Sequence, residues 1–426
     1  MKITVIGAGS SYCPEIAMGL IQRKEIMQVD EIALMDIDEY KLQIVGNFFQ
    51  RIMKNHGLNT KITITSDLQE AVKNADFIIT QIRVGKMDAR INDEKIPLKY
   101  NLIGQETTGI GGFFCALRTI EAMEKIAETI EQFSPNAWLI NFANPSGIVT
   151  EYFLKHTKVK AIGLCNVPIT IAETIGDIVG CDYHDLQLES IGLNHLSYIT
   201  AAYLDGKDVL EQVLKSGNQG PTMANMKRIE IDTDLLRLIS AIPSSYLGYY
   251  NYRSKKLEEL KNEKLTRGEE CKLIEEKLME YYSNEENIEV PEMLNERGGH
   301  LYSEAAVSLI ESLHTNNHKP HVVNVCNRGV IPFLLDDDVV EVSCFISRDG
   351  AESVPLTKNI SPASKSLMQS VKLYERLTVQ AAVTGDKDTV YEALMAHPLI
   401  GDFEKIKPAV EEMLQVNIEY LPKFKV

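Results

Sequence analysis

The sequence is poor in positive charge and has no long apolar run. Its 426 residues include 44 lysines and arginines against 60 aspartates and glutamates, which gives a formal net charge of −16. Phosphate backbones are bound chiefly by lysine and arginine, so this composition argues against nucleic acid as a partner. A membrane-spanning helix needs about 20 consecutive apolar residues, and because no such run is present we expect no membrane partner.

Closely spaced cysteine pairs are absent too. The seven cysteines are scattered, at positions 13, 115, 165, 181, 271, 326 and 344. An odd number without close pairing is typical of reduced proteins, and the strand-like start KITVIGAG does not resemble a signal peptide. We therefore expect a cytoplasmic protein. The content of 44% hydrophobic and 24% charged residues is ordinary for a folded chain and argues against general disorder.

Short apolar runs alternate with amphipathic stretches over the first 165 residues. The sequence predicts strands at Lys2–Val5, Glu31–Met35, Lys61–Thr65, Ala75–Gln81, Ala137–Asn141 and Lys160–Leu164. It predicts helices at about 14–22, 39–55, 115–133, 147–156 and 168–179. Several strands are apolar throughout, as in a sheet that helices cover on both faces. The pattern indicates an α/β fold with a doubly wound parallel sheet, in a first domain that we place at residues 1–185.

The remaining residues, 186–426, have a different pattern and are predicted to form an α+β domain. Ser190–Tyr203 is expected to be one strand that enters a tight turn. Two further strands, His321–Val325 and Val339–Ile346, suggest an antiparallel element. Residues 254–283 are rich in charge at helical spacing, and we expect a solvated helical excursion in preference to a binding arm.

A glycine loop follows the first predicted strand directly. Gly7 and Gly9 allow a sharp turn and a close approach of the backbone to a pyrophosphate at the start of the next helix, with Ser10 and Ser11 after them. The usual third glycine is missing, but the position between strand and helix strengthens the motif. Asp36 ends the second strand, where a carboxylate can bind the adenosine ribose and favours NAD over NADP. The alternative is a glycine turn in a sheet that binds no nucleotide.

Polar residues follow two further strands. Asn144 comes after the fifth strand, and Cys165 and Asn166 come after the sixth, so the carboxyl edge of a parallel sheet would bring them together. His195 lies downstream in a strand-like context. Taken alone, a buried thiol and a core histidine are the commoner interpretations of Cys165 and His195. Together, on a nucleotide-binding fold, they are plausible ligands of one divalent metal ion.

Seven motifs resemble the family 4 glycoside hydrolases, the NAD- and metal-dependent glycosidases. They are VIGAGSSYCPE at the start, RINDEKIPLKYNLIGQETTGIGGF at 90–113, FANPSG at 142–147, CNVP at 165–168, GLNH at 192–195, PSSYLGYY at 243–250 and RGGHLYSEAA at 297–306. The resemblance implies a Rossmann-like first domain and a C-terminal domain similar to that of lactate and malate dehydrogenases. It also implies bound NAD and a divalent metal, usually manganese, that is held by Cys165 and His195.

The resemblance assigns two catalytic residues. Tyr246 is implied as the base, and Glu106 as a carboxylate that raises the basicity of this tyrosine. A tyrosine is a poor base at neutral pH, and a nearby metal cation would lower its pKa. Tyr249 and Tyr250 are close enough in sequence to be confused with Tyr246, and a packed aromatic residue is the alternative for each.

The resemblance also implies a substrate. The string Cys165-Asn166-Val167-Pro168 resembles the 6-phospho-β-glucosidases, whereas Cys-Asp-Met-Pro marks the 6-phospho-α-glucosidases. Arg90, Arg297, Asn144 and Asn166 match substrate-binding positions, and an arginine fork suits a 6-phosphate. The expected substrates are phosphorylated disaccharides, such as cellobiose 6-phosphate, or other 6-phospho-β-glucosides.

The mechanism that the resemblance implies is oxidation and elimination. NAD oxidises C3 transiently, so that a base can remove the C2 proton, the C1–O bond breaks, water adds, and C3 is reduced again. In the α-type enzymes the residue after the metal cysteine is an aspartate, a candidate general acid. Asn166 cannot donate a proton in that way, so the general acid stays unassigned.

Three alternatives remain open. The chain could be an NAD-dependent 2-hydroxy-acid dehydrogenase with His195 as the proton acceptor, or a nucleotide sensor that has lost the chemistry. It could also have another family 4 specificity, as a 6-phospho-α-glucosidase or an α-galactosidase. A homodimer or homotetramer is expected.

Overall fold

The computed structural model describes residues 1–216, 231–298 and 301–425. Within these ranges the strands are β1 Lys2–Ile6, β2 Glu31–Met35, β3 Lys61–Thr65, β4 Phe77–Thr80, β5 Trp138–Asn141, β6 Lys160–Gly163, β7 Leu186–Leu193, β8 Leu196–Leu204, β9 Lys207–Asp208, β10 Ile242–Pro243, β11 Pro320–Cys326, β12 Val339–Ser347 and β13 Gly350–Ser353.

The helices of the same ranges are α1 Cys13–Gln22, α2 Glu39–Asn55, α3 Leu68–Val72, α4 Lys86–Lys99, α5 Gly109–Phe133, α6 Ser146–His156, α7 Val167–Val179, α8 Leu210–Lys215, α9 Thr233–Ile239, α10 Leu247–Asn251, α11 Arg253–Asn262, α12 Arg267–Ser283, α13 Met293–Glu296, α14 Tyr302–Thr315, α15 Pro362–Thr384, α16 Lys387–Ala396 and α17 Phe403–Asn417. No described helix is long and apolar enough to cross a membrane.

One large sheet carries both the start and the late strands of the chain. Its order is β13-β12-β11-β6-β5-β4-β1-β2-β3. Strands β1 to β6 are parallel, whereas β11, β12 and β13 are antiparallel. The parallel part has the doubly wound order 3-2-1-4-5-6, in which the order of the strands along the sheet reverses between β1 and β4. A ligand crevice is therefore expected at the carboxyl ends of these two strands.

The predicted strands of the parallel sheet agree with the structure to within a few residues at either end. Two of them, β2 and β3, match at both ends. The sheet continues across residue 185, because β11 pairs with β6 through Asn324 and Gly163. The division into domains at 1–185 and 186–426 stays a prediction.

A smaller antiparallel sheet corrects one prediction. Ser190–Tyr203 is not a single strand, because the chain reverses within it: β7 and β8 form a hairpin, and Leu193 pairs with Leu196. The two residues between them, Asn194 and His195, make the turn. His195 has φ +65°, a left-handed conformation that short hairpin turns require and that other residues than glycine seldom adopt.

The charged segment 254–283 is helical, as predicted, but it is not a solvated excursion. It forms α11 and α12, and α12 packs against α2 and α4. Cys271, Leu278 and Tyr282 on α12 are each 0% exposed. Glu276, Lys277 and Glu280 are exposed on the opposite face, so a helix that packs on the nucleotide-binding half was mistaken for a solvated one.

Candidate active site

The glycine loop lies between the ends of β2 and β4. The backbone N–H groups of Gly7 and Ala8 both donate to the carbonyl of Met35, at 2.9 Å. Gly7 has φ +92°, and a Cβ placed on it would lie 2.9 Å from the carbonyl carbon of Gln81. A side chain at position 7 would therefore clash with the backbone that follows β4, which explains the glycine and leaves the loop backbone open to a ligand.

Asp36 is hydrogen-bonded to this loop. Its Oδ2 accepts from the N–H of Gly9 at 2.9 Å, and its Oδ1 accepts from the N–H of Asp38 at 2.9 Å. Burial raises the pKa of the Asp36 carboxyl, and these two N–H donors counteract the effect. The carboxylate is thus fixed beside the loop, at the position where a dinucleotide's ribose lies in folds of this kind.

The end of the loop has one unsatisfied group that suits an anion. Ser11 is 1% exposed, and within the described residues its hydroxyl has no hydrogen-bond partner. Helix α1 begins at Cys13 without a side-chain cap, but its first turn bonds to the backbone before it: the N–H groups of Cys13 and Glu15 donate to the carbonyls of Ser10 and Tyr12, both at 3.0 Å, and Pro14 has no N–H. The unpartnered Ser11 hydroxyl, at the positive end of the helix dipole, therefore fits a pyrophosphate oxygen. Ser10 bonds locally, since its Oγ accepts from the N–H of Tyr12 at 3.4 Å.

Cys165 and His195 belong to different sheets but lie in the same buried site. Cys165 follows β6, and its Sγ accepts from the N–H of Val167 at 3.5 Å. His195 Nδ1 is 2.9 Å from the hydroxyl of Thr107, which leaves Nε2 as the nitrogen for a metal ion. Burial lowers the pKa of His195 to about 4, so the ring is neutral near pH 7, as a metal ligand must be. This donor set fits a borderline divalent metal ion.

Tyr246 lies against His195. The two rings stack with centroids 3.9 Å apart and an interplanar angle of 3°. Tyr246 is 3% exposed. Burial, followed by the charges of Cys165 and Glu106, raises the pKa of the Tyr246 phenol well above its usual value. The structure therefore brings the predicted base together with both predicted metal ligands. Within the described residues no group of three or more His, Cys, Asp or Glu side chains could hold a metal ion.

Glu106 is paired with arginines. It forms ion pairs with Arg83 and with Arg90, whose Nη2 is 3.1 Å from Oε1. Burial by itself would raise the pKa of the Glu106 carboxyl, but Arg83, Arg90 and Arg297 lower it to about 2. Glu106 is therefore ionised at neutral pH. Arg83 was missed by the sequence analysis, although it lies just after β4, where the strand-end rule points.

The two predicted phosphate-binding arginines differ in how many of their N–H donors already have partners. Arg90 also holds Glu94, with Nε 2.9 Å from Oε1. Arg297 is 6% exposed, its Nη2 lies 3.7 Å from Glu275, and within the described residues its Nε has no hydrogen-bond partner. Its guanidinium lies 5.3 Å from the ring centroid of Tyr12, at the end of the glycine loop. Arg297 therefore has unused donors, whereas Arg90 has carboxylates on both sides.

The two predicted asparagines take different positions. The backbone carbonyl of Asn144 accepts from the hydroxyl of Thr119 at 3.3 Å, which fixes the backbone after β5. Asn166 is partly buried and directly precedes α7.

A cleft opens at Tyr246 and Glu106. Helices α4, α10 and α12 and the loop before α12 contribute to its walls.

A dinucleotide loop on the large sheet, and beside it a cluster of Cys165 from that sheet with His195 and Tyr246 from the smaller one, define a class of nucleotide-binding enzymes. Comparison with known proteins identifies the family. Residues 2–181 match the family described as "Family 4 glycosyl hydrolase", and residues 190–400 match its C-terminal domain. The chain belongs to family 4 of the glycosyl hydrolases.

Relatives of known name agree with this assignment. The probable 6-phospho-beta-glucosidase of Bacillus subtilis (strain 168) is 40% identical over 434 aligned residues, which cover 100% of this chain and 98% of that protein. The structure of the 6-phospho-beta glucosidase from Thermotoga maritima "with manganese, NAD+ and glucose-6-phosphate" matches with a TM-score of 0.91 at 38% identity, over 99% of both chains.

The fold class is confirmed as well. Malate dehydrogenase from Plasmodium falciparum has a TM-score of 0.56 at 14% identity, over 92% of this chain and 99% of that chain. A likeness at this identity concerns the fold alone. The predicted similarity to the lactate and malate dehydrogenases is therefore a similarity of architecture.

Proposed function

We propose that the protein hydrolyses 6-phospho-β-glucosides, such as cellobiose 6-phosphate, to glucose 6-phosphate and an aglycone, with bound NAD and a divalent metal ion, most simply Mn²⁺. The observation that carries the proposal is the cluster of Cys165, His195 and Tyr246. It supplies two metal ligands and a phenol, with Cys165 after β6 of the sheet that carries the glycine loop and with His195 and Tyr246 on the smaller sheet. The relatives named above support the cofactors and the 6-phospho-β specificity.

The residues of this chain would act as follows. Gly7, Gly9, Ser10, Ser11 and Asp36 would hold NAD. When bound, NAD would accept the hydride of the sugar C3 and the metal ion would stabilise negative charge on the neighbouring oxygens. Together, NAD and the metal ion would make the C2 proton acidic enough for a base to remove.

The chain's remaining site residues would act on the sugar. Tyr246 would take the C2 proton, since its phenol lies beside the metal ligand His195. Arg297 and Arg90 would bind the 6-phosphate, and Asn144 and Asn166 the sugar hydroxyls. The general acid is not assigned, because the amide of Asn166 cannot supply a proton to the leaving group.

A substrate panel tests the proposal. Nitrophenyl α- and β-glucosides, each with and without a 6-phosphate, are incubated with and without NAD⁺ and Mn²⁺. We expect nitrophenol only from the phosphorylated β-glucoside, only when both additions are present, and without net accumulation of NADH. Net NADH would instead indicate a 2-hydroxy-acid dehydrogenase type of chemistry, and hydrolysis of the α-anomer another family 4 specificity.

Isotope exchange tests the mechanism separately. If Tyr246 removes the C2 proton in each turnover, glucose 6-phosphate formed in D₂O carries deuterium at C2. Tyr246→Phe keeps the ring, so it should suppress exchange while NAD and Mn²⁺ still bind. Product from D₂O with only protium at C2 would contradict the mechanism even if the substrate is right, because two carboxylates that act at C1 need no C2 exchange.

A further inference from the structure

A buried carboxylate that the proposed mechanism does not use lies behind the metal ligands. Glu341 is on β12, in the antiparallel part of the large sheet, and is 1% exposed. Its Oε1 accepts from the hydroxyl of Ser197 at 2.9 Å. Its Oε2 accepts from the Nδ2 groups of Asn194 at 3.0 Å and Asn324 at 3.4 Å. Both carboxylate oxygens are therefore occupied by side-chain donors.

Two of these donors flank His195. Asn194 precedes it in the hairpin turn, and Ser197 follows it at the start of β8. The turn is costly by itself, because His195 is held at φ +65°, where a residue with a Cβ loses about 1 kcal/mol. Glu341 is thus hydrogen-bonded to the turn on both sides of the strained residue, His195.

The same asparagine also reaches the other metal ligand. The side chain of Asn194 lies close to the Cys165 thiol. Asn194 is 9% exposed, so this place is shielded from water. The amide that Glu341 holds therefore adjoins the Cys165 thiol in space and His195 in the chain.

We propose that Glu341 is a positioning residue for the metal site: through Asn194 and Ser197 it holds the turn so that Cys165 and His195 can bind the same divalent cation. The proposal rests on the proposed function in that it takes these two residues as the metal ligands. Partners that orient metal ligands typically contribute 10–100-fold to metal affinity. With only two side chains binding the ion, a small displacement of either one is not compensated by a third.

Another buried carboxylate, on the β7–β8 hairpin itself, provides a matched control. Glu189 on β7 is 2% exposed. It accepts from the hydroxyl of Thr200 at 2.7 Å and from the N–H groups of Thr357 at 2.9 Å and Lys358 at 3.2 Å. Glu189 therefore has the burial and bonding of Glu341 but ties the hairpin to the chain after β13, away from the turn. Its loss should affect the folded state without affecting the metal ligands.

The test measures Mn²⁺ affinity of the full chain by electron paramagnetic resonance, with NAD affinity and melting temperature measured in parallel. Glu341→Ala should raise the Mn²⁺ Kd about 10–100-fold and leave the NAD Kd unchanged. Glu341→Gln should stay within about threefold of the unchanged protein, because an amide can accept from both asparagines and donate to Ser197. Excess Mn²⁺ should restore kcat in Glu341→Ala.

Glu189→Ala should lower the melting temperature and leave the Mn²⁺ Kd unchanged. If Glu341→Ala does not fold, Glu341→Asp replaces it. That variant keeps the charge but has a side chain shorter by one methylene group, so it should still weaken Mn²⁺ binding. The proposal is overturned if the folded Glu341 variant binds Mn²⁺ as tightly as the unchanged protein, or if Glu189→Ala weakens binding equally. Failure of the unchanged protein to bind Mn²⁺, or undiminished binding in Cys165→Ser, would instead overturn the metal site of the proposed function.

Discussion

At the scale of single residues, the sequence was most informative where a motif lies at the end of a strand. Cys165 could be selected from the chain on that ground, and Tyr246 on family resemblance. Arg83 was overlooked although it follows β4. Glu341 could not have been selected, because it lies in the middle of an ordinary strand, and only the packing of β12 against β7 of the other sheet brings it to Asn194. No local sequence pattern indicates such a contact.

The two predicted phosphate-binding arginines should respond differently to removal. Arg297→Ala should raise KM for a 6-phospho-β-glucoside about 30-fold, because a charge-assisted hydrogen bond contributes about 2 kcal/mol. Its melting temperature should change little, since its contact with Glu275 is long, at 3.7 Å. Arg90→Ala should instead destabilise the fold by about 3–5 kcal/mol, because it leaves Glu94 and Glu106 buried without this partner.

Steady-state kinetics and urea unfolding of both variants check this expectation. Arg237→Ala is the control, because Arg237 pairs with Asp234 on the surface and its side chain is 71% exposed. This variant should match the unchanged protein in both measurements. An Arg297→Ala enzyme whose KM is unchanged would move the phosphate site elsewhere.

At the scale of helices and strands, the errors have identifiable causes. Helix α4 was missed because its sequence, KMDARINDEKIPLK, has no apolar stripe and contains Pro97. Its buried residues include Arg90, Asp93 and Glu94, which hydrophobic periodicity cannot detect. The β7–β8 hairpin was taken for one strand because Asn194 and His195 interrupt the apolar run only briefly. In contrast, helix α2 was predicted to the residue, since its apolar spacing is regular and Asp38 caps it.

Helix α12 gives a prediction about the glycine loop. The ring of Tyr282 stacks on Phe48 with centroids 4.4 Å apart, and its hydroxyl donates to the carbonyl of Ser11 at 2.9 Å. Tyr282→Phe keeps the stacking and removes one buried hydrogen bond. We expect it to lower stability by about 1 kcal/mol and to raise the NAD Kd several-fold, because the end of the loop loses its anchor.

The neighbouring residue serves as the control. The hydroxyl of Tyr281 donates to the carbonyl of Glu289 at 3.3 Å, on the exposed side of the helix. Tyr281→Phe should leave NAD binding unchanged in a calorimetric titration. Equal NAD affinities for the Tyr282→Phe and unchanged proteins would show that α12 supports the fold but not the loop.

At the scale of the whole molecule, buried histidines should contribute to the dependence of stability on pH. Burial lowers the pKa of His397 to about 3 and that of His321 to about 4. At His397, Nδ1 accepts from the N–H of Leu399 at 3.2 Å, so a proton there would face another donor. Between pH 6.5 and these values the unfolded chain binds protons that the folded chain does not.

Each such imidazole should therefore lower stability by up to about 1.4 kcal/mol per pH unit as the pH falls below about 6.5. Burial raises the pKa of Glu15 to about 8 and that of Glu375 to about 7, and these carboxyls contribute with the opposite sign, so the effect of a histidine is the difference in slope between variants. Melting temperatures between pH 8 and pH 5 measure this slope. His397→Gln should give a shallower slope even if it is less stable at pH 8, whereas His314→Gln, at an exposed position, should not change the slope. An unchanged slope in His397→Gln would contradict the assignment.

The composition and the alternation of strands and helices were sufficient to predict the fold class, because both are properties of the whole chain. The continuation of the sheet through β11, β12 and β13 was not predicted. Strands β11 and β12 were predicted individually and β13 was not. Strand β6, the neighbour of β11, is over 150 residues away, and sequence periodicity carries no information about pairing at that distance.

The positions of the site residues along the chain also determine the order in which they are synthesised. The glycine loop and Asp36 lie within the first 36 residues, and Cys165 is complete once β6 has been made. Glu341, however, arrives only with β12, after more than three quarters of the chain has been synthesised. A ribosome-bound chain that has not yet emerged through β12 therefore lacks the carboxylate that the metal-ligand turn rests on. Under our proposal, the residues of the nucleotide loop are synthesised long before the carboxylate that positions the metal ligands. The metal-binding part of the site is therefore completed after the nucleotide loop.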